Sequence, residues 1–146
     1  MEVNLEPVTT DTDLDLEAQV RDAIDQLDIL NGTQARVDIE VQDAHVTIRG
    51  NVQSPMSCVE VEWAAAAVAG VKGVTNLLVD DAELSRRVAT ALAYDPRTSS
   101  IPPGYEVTPV FGHIVMIGKF GDEQAGAVMA VAQAVPDVRS VMIKRL

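Results

Sequence analysis

The whole chain holds one cysteine, Cys58, so no internal disulfide can staple it, and a reduced, buried thiol is the expectation. Aromatic residues are scarce: one Trp, two Tyr and two Phe among 146 residues. Single-stranded nucleic acid needs exposed aromatics along a positive groove, and neither is in supply. Basic residues are outnumbered, 11 against 22 acidic, so the net charge of −11 repels phosphate backbones and anionic lipid. Nucleic acid is therefore not an expected partner. The longest strongly apolar run, Ala125–Val135, has 11 residues, whereas a bilayer-spanning helix needs about 20. No transmembrane segment is expected. The opening Met1-Glu2-Val3-Asn4-Leu5-Glu6 has neither the basic region nor the apolar core of a signal peptide. The chain reads as cytoplasmic, with a periplasmic place left open if a leader preceded it.

Motifs that carry chemistry are missing too. There is no glycine-rich phosphate loop, no HExxH and no GxSxG. Two histidines, His45 and His113, and one cysteine are a poor supply for a zinc site. Asp11-Thr12-Asp13-Leu14-Asp15 opens like a calcium loop, but Leu16 stands where that loop needs glycine and Asp22 where it wants glutamate. A helix start with acids near its positive end explains the same residues. Cys58 lies among Met56, Val59 and Val61, with no nucleophile motif around it. No catalytic, cofactor-binding or metal-binding residue is assigned, and an enzyme is not expected.

What is present is a duplication. His45-Val46-Thr47-Ile48-Arg49-Gly50-Asn51-Val52 returns 68 positions later as His113-Ile114-Val115-Met116-Ile117-Gly118-Lys119-Phe120. Each copy sits in the same order of elements. An amphipathic helix comes first, over about 14–30, with Leu16, Val20, Ile24 and Leu27 on one stripe; Leu84, Val88 and Leu92 repeat it. Asn31-Gly32 closes the first helix. Val37, Ile39 and Val41 alternate with polar residues, Asp43-Ala44 turns the chain, and His45–Arg49 returns antiparallel. A helix from Pro55 to about Ala69 and a strand over Val74–Val79 complete the copy. The second copy ends with helix Asp122–Val135 and strand Ser140–Leu146. Pro109 cannot donate a ladder hydrogen bond, so its strand should be an edge. The glycines Gly50 and Gly118 end equivalent strands and imply a positive φ or a close backbone approach.

This gives an acidic N-terminal arm, 1–13, and two domains, 14–80 and 81–146. Domains so small bury only ~60% of their unfolded surface, so domain–domain packing or association between chains would help them. Charge divides them. Residues 1–80 carry 15 acidic and 4 basic side chains, while residues 81–146 carry seven of each.

The pattern of helix, hairpin ending Val-Thr-Ile-Arg-Gly-Asn-Val, helix, then Ala-Gly-Val-Lys-Gly-Val-Thr-Asn-Leu-Leu-Val resembles the BON domain (bacterial OsmY and nodulation). The second copy lacks the Gly-Val and Asn-Leu signatures. The resemblance implies an α+β fold of two αββαβ units, each a three-stranded mixed sheet with both helices on one face. It implies a non-enzymatic binding role, with phospholipid association under stress, self-association or a potassium response as the family's themes.

The two copies differ on one face. Outward positions Asp38, Glu40, Gln42, His45, Thr47 and Arg49 of the first hairpin become Glu106, Thr108, Val110, His113, Val115 and Ile117 in the second. The last helix adds Ala125 to Ala132 with hardly a polar residue. Val110, Val115, Ile117, Val128, Met129 and Val131 are therefore the candidate contact surface. Packing by the first domain, a homo-oligomer contact and a lipid or other partner all remain open as its cover.

Overall fold

A computed structural model describes residues 11–146 other than residues 32 and 34. The chain divides into two compact units, one ending at Leu78 and one spanning Val79–Leu146. In the first, helix α1 (Asp11–Asp25) leads to strands β1 (Arg36–Gln42) and β2 (His45–Val52), helix α2 (Pro55–Ala66) and strand β3 (Gly73–Asp80). The second follows with α3 (Asp81–Tyr94), β4 (Glu106–Val110), β5 (His113–Gly118), α4 (Asp122–Gln133) and β6 (Ser140–Arg145). The sheets have strand orders β1-β2-β3 and β4-β5-β6. The α+β class and the αββαβ order are as the sequence indicates.

Both units are built by the alternation of the hairpin residues. Ile39, Val41, Val46 and Ile48 point inward against Leu16, Val20 and Ile24 of α1 and Val61 and Ala65 of α2. In the second unit Ile114 and Met116 meet Leu84, Val88 and Leu92 of α3 and Val128, Val131 and Ala132 of α4. The two helices of a unit thus cover one face of its sheet. β4 is an edge strand, which its Pro109 requires.

Some boundaries move. The acidic arm expected over 1–13 is helical from Asp11, and residues 1–10 lie outside the described residues. α1 stops at Asp25, not near residue 30, and the short 3-10 turn Asp28–Leu30 follows. The expected glycine cap at Gly32 lies outside the described residues. α2 and α4 each end three residues or fewer before the expected point. Their last turns tighten into 3-10-type bonds such as Val68 N to the carbonyl of Ala65. Pro55 occupies the first turn of α2 behind Ser54, whose Oγ accepts the amide of Ser57 at 3.2 Å.

Candidate functional site

The geometry of each sheet is set at its hairpin turn. Asp43 and Ala44 have φ of +50° and +61°, and Phe111 and Gly112 have +48° and +89°. Two consecutive left-handed residues make the tight turn that matches strand twist. Three of the four have side chains, so something must hold the turn. In the first unit it is Asp13, 3% exposed, whose two carboxylate oxygens accept the amides of Asp43 at 3.1 Å and Ala44 at 3.0 Å. In the second it is Asp81, whose Oδ1 accepts the amide of Phe111 at 2.9 Å. Asp13 and Asp81 stand 68 positions apart, in register with the repeat. Burial pushes the Asp81 carboxyl up, opposed by the amides of Phe111 and Gly112, and the charge of Asp80 adds to the rise. The expectation that Asp13 belongs to a helix start is met, and the same carboxylate has this second, long-range role.

The two glycines hold the hairpins in different ways. Gly50 has φ of +137°, and a Cβ there would run into the carbonyl oxygen of Arg36 on β1. Gly118 is extended in the ordinary sense. Its hydrogen atoms face Tyr105 Cβ and the Phe120 ring, which a Cβ would meet at 2.8 Å and 3.0 Å. Tyr105 and Phe120 pack with ring centroids 5.7 Å apart over that gap.

The histidines serve their sheets. His45 Nε2 lies 2.7 Å from Thr75 Oγ1 on β3, and His113 Nδ1 lies 2.6 Å from Ser140 Oγ on β6. Each ring reaches across to the third strand, not along its own. In the first unit Gly73 makes room, because a Cβ there would stand 2.8 Å from the His45 ring.

That cross-strand pairing fixes what the outer face of the second sheet presents. Val115 lies opposite Thr108 on β4 and Met142 on β6. Ile117 lies between Glu106 and Lys144, and His113 between Val110 and Ser140. Val110 is 41% exposed and Met142 65%, while Val115 and Ile117 are half-buried. Met142, absent from the sequence-based set, is the most exposed of the four. Its signal was available: it alternates with Val141 and Ile143, which face the core. Val128 and Val131, expected on the surface, are instead 1% and 4% exposed inside their own unit's core. Met129 is half-buried. The exposed positions of α4 are Asp122, Glu123, Gly126, Ala130 and Gln133, all too small or too polar to make a large apolar patch. The apolar surface of the candidate set is therefore reduced to the sheet face.

A groove of about 520 Å³ lies between the last turns of α3 and α4, with Ala91, Val131, Val135 and Pro136 beneath and Arg86, Arg87 and Arg97 at its rim. All three guanidiniums are engaged within the unit. Arg86 holds Glu83 at 2.6 Å, Arg87 holds Glu83 and Asp137 at 3.1 Å, and Arg97 holds Asp95 at 3.0 Å. Hydrogen bonds from Arg86, then Arg87, hold Glu83 down to about 2. The rim is neutral, which leaves little pull on an anion. Among the described residues no cluster of three His, Cys, Asp or Glu is placed to hold a metal ion, and no helix is long and apolar enough to cross a membrane.

The family model for the BON domain matches residues 12–79. No curated protein matches the sequence. Among solved structures the chain resembles the C-terminal domain of CdsD, described as the structural protein of the Type III secretion system of Chlamydia trachomatis. That match has TM-score 0.62 and 18% identity, and covers 91% of this chain and 64% of that one. A second CdsD structure gives TM-score 0.58 at 18% identity, covering 88% of this chain and 61% of that one. This chain thus spans less than two-thirds of either structure, and at such identity the likeness is one of fold. Residues 12–79 are a BON domain, and the second unit of the chain is built on the same αββαβ plan.

Proposed function

We propose that this chain is a non-enzymatic interaction module whose second unit associates with another copy of the chain through the outer face of its sheet. One observation carries the reading. Val110, Val115, Ile117 and Met142 share that face, where the first unit has Gln42, Thr47, Arg49 and Thr75. The same plan is thus polar at these four positions in one copy and apolar in the other. A cluster of branched and thioether side chains on a sheet face costs solubility unless it is covered part of the time. A second copy suits it better than anionic lipid, because the residues up to Asp80 bring a net charge of −11 to any such surface.

Light scattering against concentration, beside flotation with neutral and with anionic vesicles, tests this. Mass that rises with concentration, without flotation, is the expected result. Val110→Glu with Met142→Glu should hold the chain monomeric, since both positions are exposed and the substitutions spare the core. A chain that stays monomeric throughout and floats with vesicles overturns self-association in favour of lipid.

A further inference from the structure

The first unit carries an apolar surface of its own, on a helix. The buried residues of α2 are Ser57, Val61 and Ala65, spaced by four. Its opposite side presents Met56, Val59 and Trp63, which are 55%, 37% and 66% exposed. Spacing of three and then four puts these on one stripe. Trp63 is the only tryptophan of the chain. An indole two-thirds in water loses a large hydrophobic gain.

We infer that this α2 stripe is what the apolar sheet face grips: α2 of one copy lies on the outer face of β4-β5-β6 of the next, head to tail. The inference rests on the self-association reading and names its second surface. Size agrees. Met56 to Trp63 spans about 10 Å of helix at 1.5 Å per residue. Three strands about 4.8 Å apart offer a face roughly 10 Å across. Charge agrees as well. Glu60 and Glu62 flank the stripe, and Lys144 borders the sheet patch next to Ile117. None of the three makes an ion pair among the described residues. Arg139, at the Val110 end of the patch, is a second cation on that rim; its Nη1 reaches only the carbonyl of Phe111, at 3.4 Å. Helix and sheet face are different surfaces, so each copy offers one of each. Such a heterologous contact leaves a free helix at one end of a dimer and a free sheet at the other. Further copies add until the rotation closes a ring or runs on as a filament.

The test uses two full-length variants at exposed positions, Trp63→Glu and Met142→Glu, with circular dichroism to show that both fold. Each alone should remain monomeric at concentrations where the parent chain grows. Mixed in equal amounts they should form a dimer and stop there. The intact helix of the Met142→Glu chain fits the intact sheet of the Trp63→Glu chain, and no second contact is available. Trp63 emission should shift to shorter wavelength as the parent chain is concentrated and should not shift in Met142→Glu alone. If Met142→Glu is monomeric while Trp63→Glu assembles like the parent, sheet meets sheet and the head-to-tail contact is wrong, though self-association stands. If neither variant changes the mass, or the parent never associates, the self-association reading falls with it. A mixture that stays monomeric also overturns the contact.

Discussion

Asp13 Oδ1 accepts the amide of Ala44 at 3.0 Å, from a helix 31 residues away along the chain. Ala44 sits at φ +61°, a conformation that an alanine adopts at a cost of about 1–2 kcal/mol. The carboxylate and the turn are matched: the turn aims two amides at one point, and the acid occupies it. Removing the acid leaves both amides of a part-buried turn without this acceptor. Asp13→Ala should lower the stability of the first unit by about 2 kcal/mol. A urea titration read at Trp63, which reports that unit alone, checks it.

The strain in the same turn can be relieved. Ala44→Gly keeps the amide that Asp13 binds and removes the Cβ that opposes a left-handed backbone. It creates Asp-Gly, the dipeptide that tight hairpins favour. The unfolded chain gains freedom, so the net gain should be modest, about 0.5 kcal/mol. The titration midpoint should rise, and a fall would show that the turn is not held as described.

Asp81 gives the second unit a pH dependence of definite sign. Burial raises its pKa above the ordinary 3.8 in the folded protein, so the folded state keeps its proton where the unfolded state has lost it. The stability this group contributes is full below pH 3.8 and is lost as pH rises through the raised value. Asp81→Asn has no such titration. The parent's stability relative to Asp81→Asn should therefore be greatest at pH 3 and shrink toward pH 6, followed by circular dichroism in urea. A relative stability that grows over that range would contradict the burial.

Glu83 has the opposite slope. Its pKa lies at about 2 because two guanidiniums hold the carboxylate. What it contributes is present above the ordinary 4.5 and is lost as pH falls toward about 2. The group is exposed, so salt should erase the effect. Comparing Glu83→Gln with the parent at low and at 1 M salt reads this directly.

Gly50 and Gly118 should respond unequally to alanine. At Gly50 the new carbon meets backbone, the Arg36 carbonyl, in a conformation that alanine avoids. At Gly118 it meets the Cβ of Tyr105 and the edge of the Phe120 ring, side-chain atoms and not backbone, at a φ that alanine can adopt. Gly50→Ala should unfold the first unit at ordinary temperature. Gly118→Ala should cost about 1–3 kcal/mol and leave the second unit folded. Thermal melts of the two variants make the comparison.

Period-two alternation made the hairpins readable, and the duplication made the second unit readable from the first. The turn-holding carboxylates were harder, since a bond across 30 residues leaves no local pattern. Their shared place in the repeat was the one available sign. α4 misled for a physical reason. Its composition is apolar, but alanine and glycine occupy its outward side, and they contribute little surface; Val128 and Val131 spend their bulk inside. Met142 is legible from its alternation with Val141 and Ile143, whereas the α2 stripe is interleaved with core residues of the same helix, and the fold is what separates its two sides.

Pro109 also bears on how another chain can approach the second sheet. Sitting on an outer strand without an amide hydrogen, it breaks the row of backbone donors that a neighbouring chain would need in order to extend the ladder. Aggregates of the endlessly stacked kind are thereby discouraged from that flank. A chain approaching that flank is left with shape and side-chain chemistry, contacts that dilution can undo.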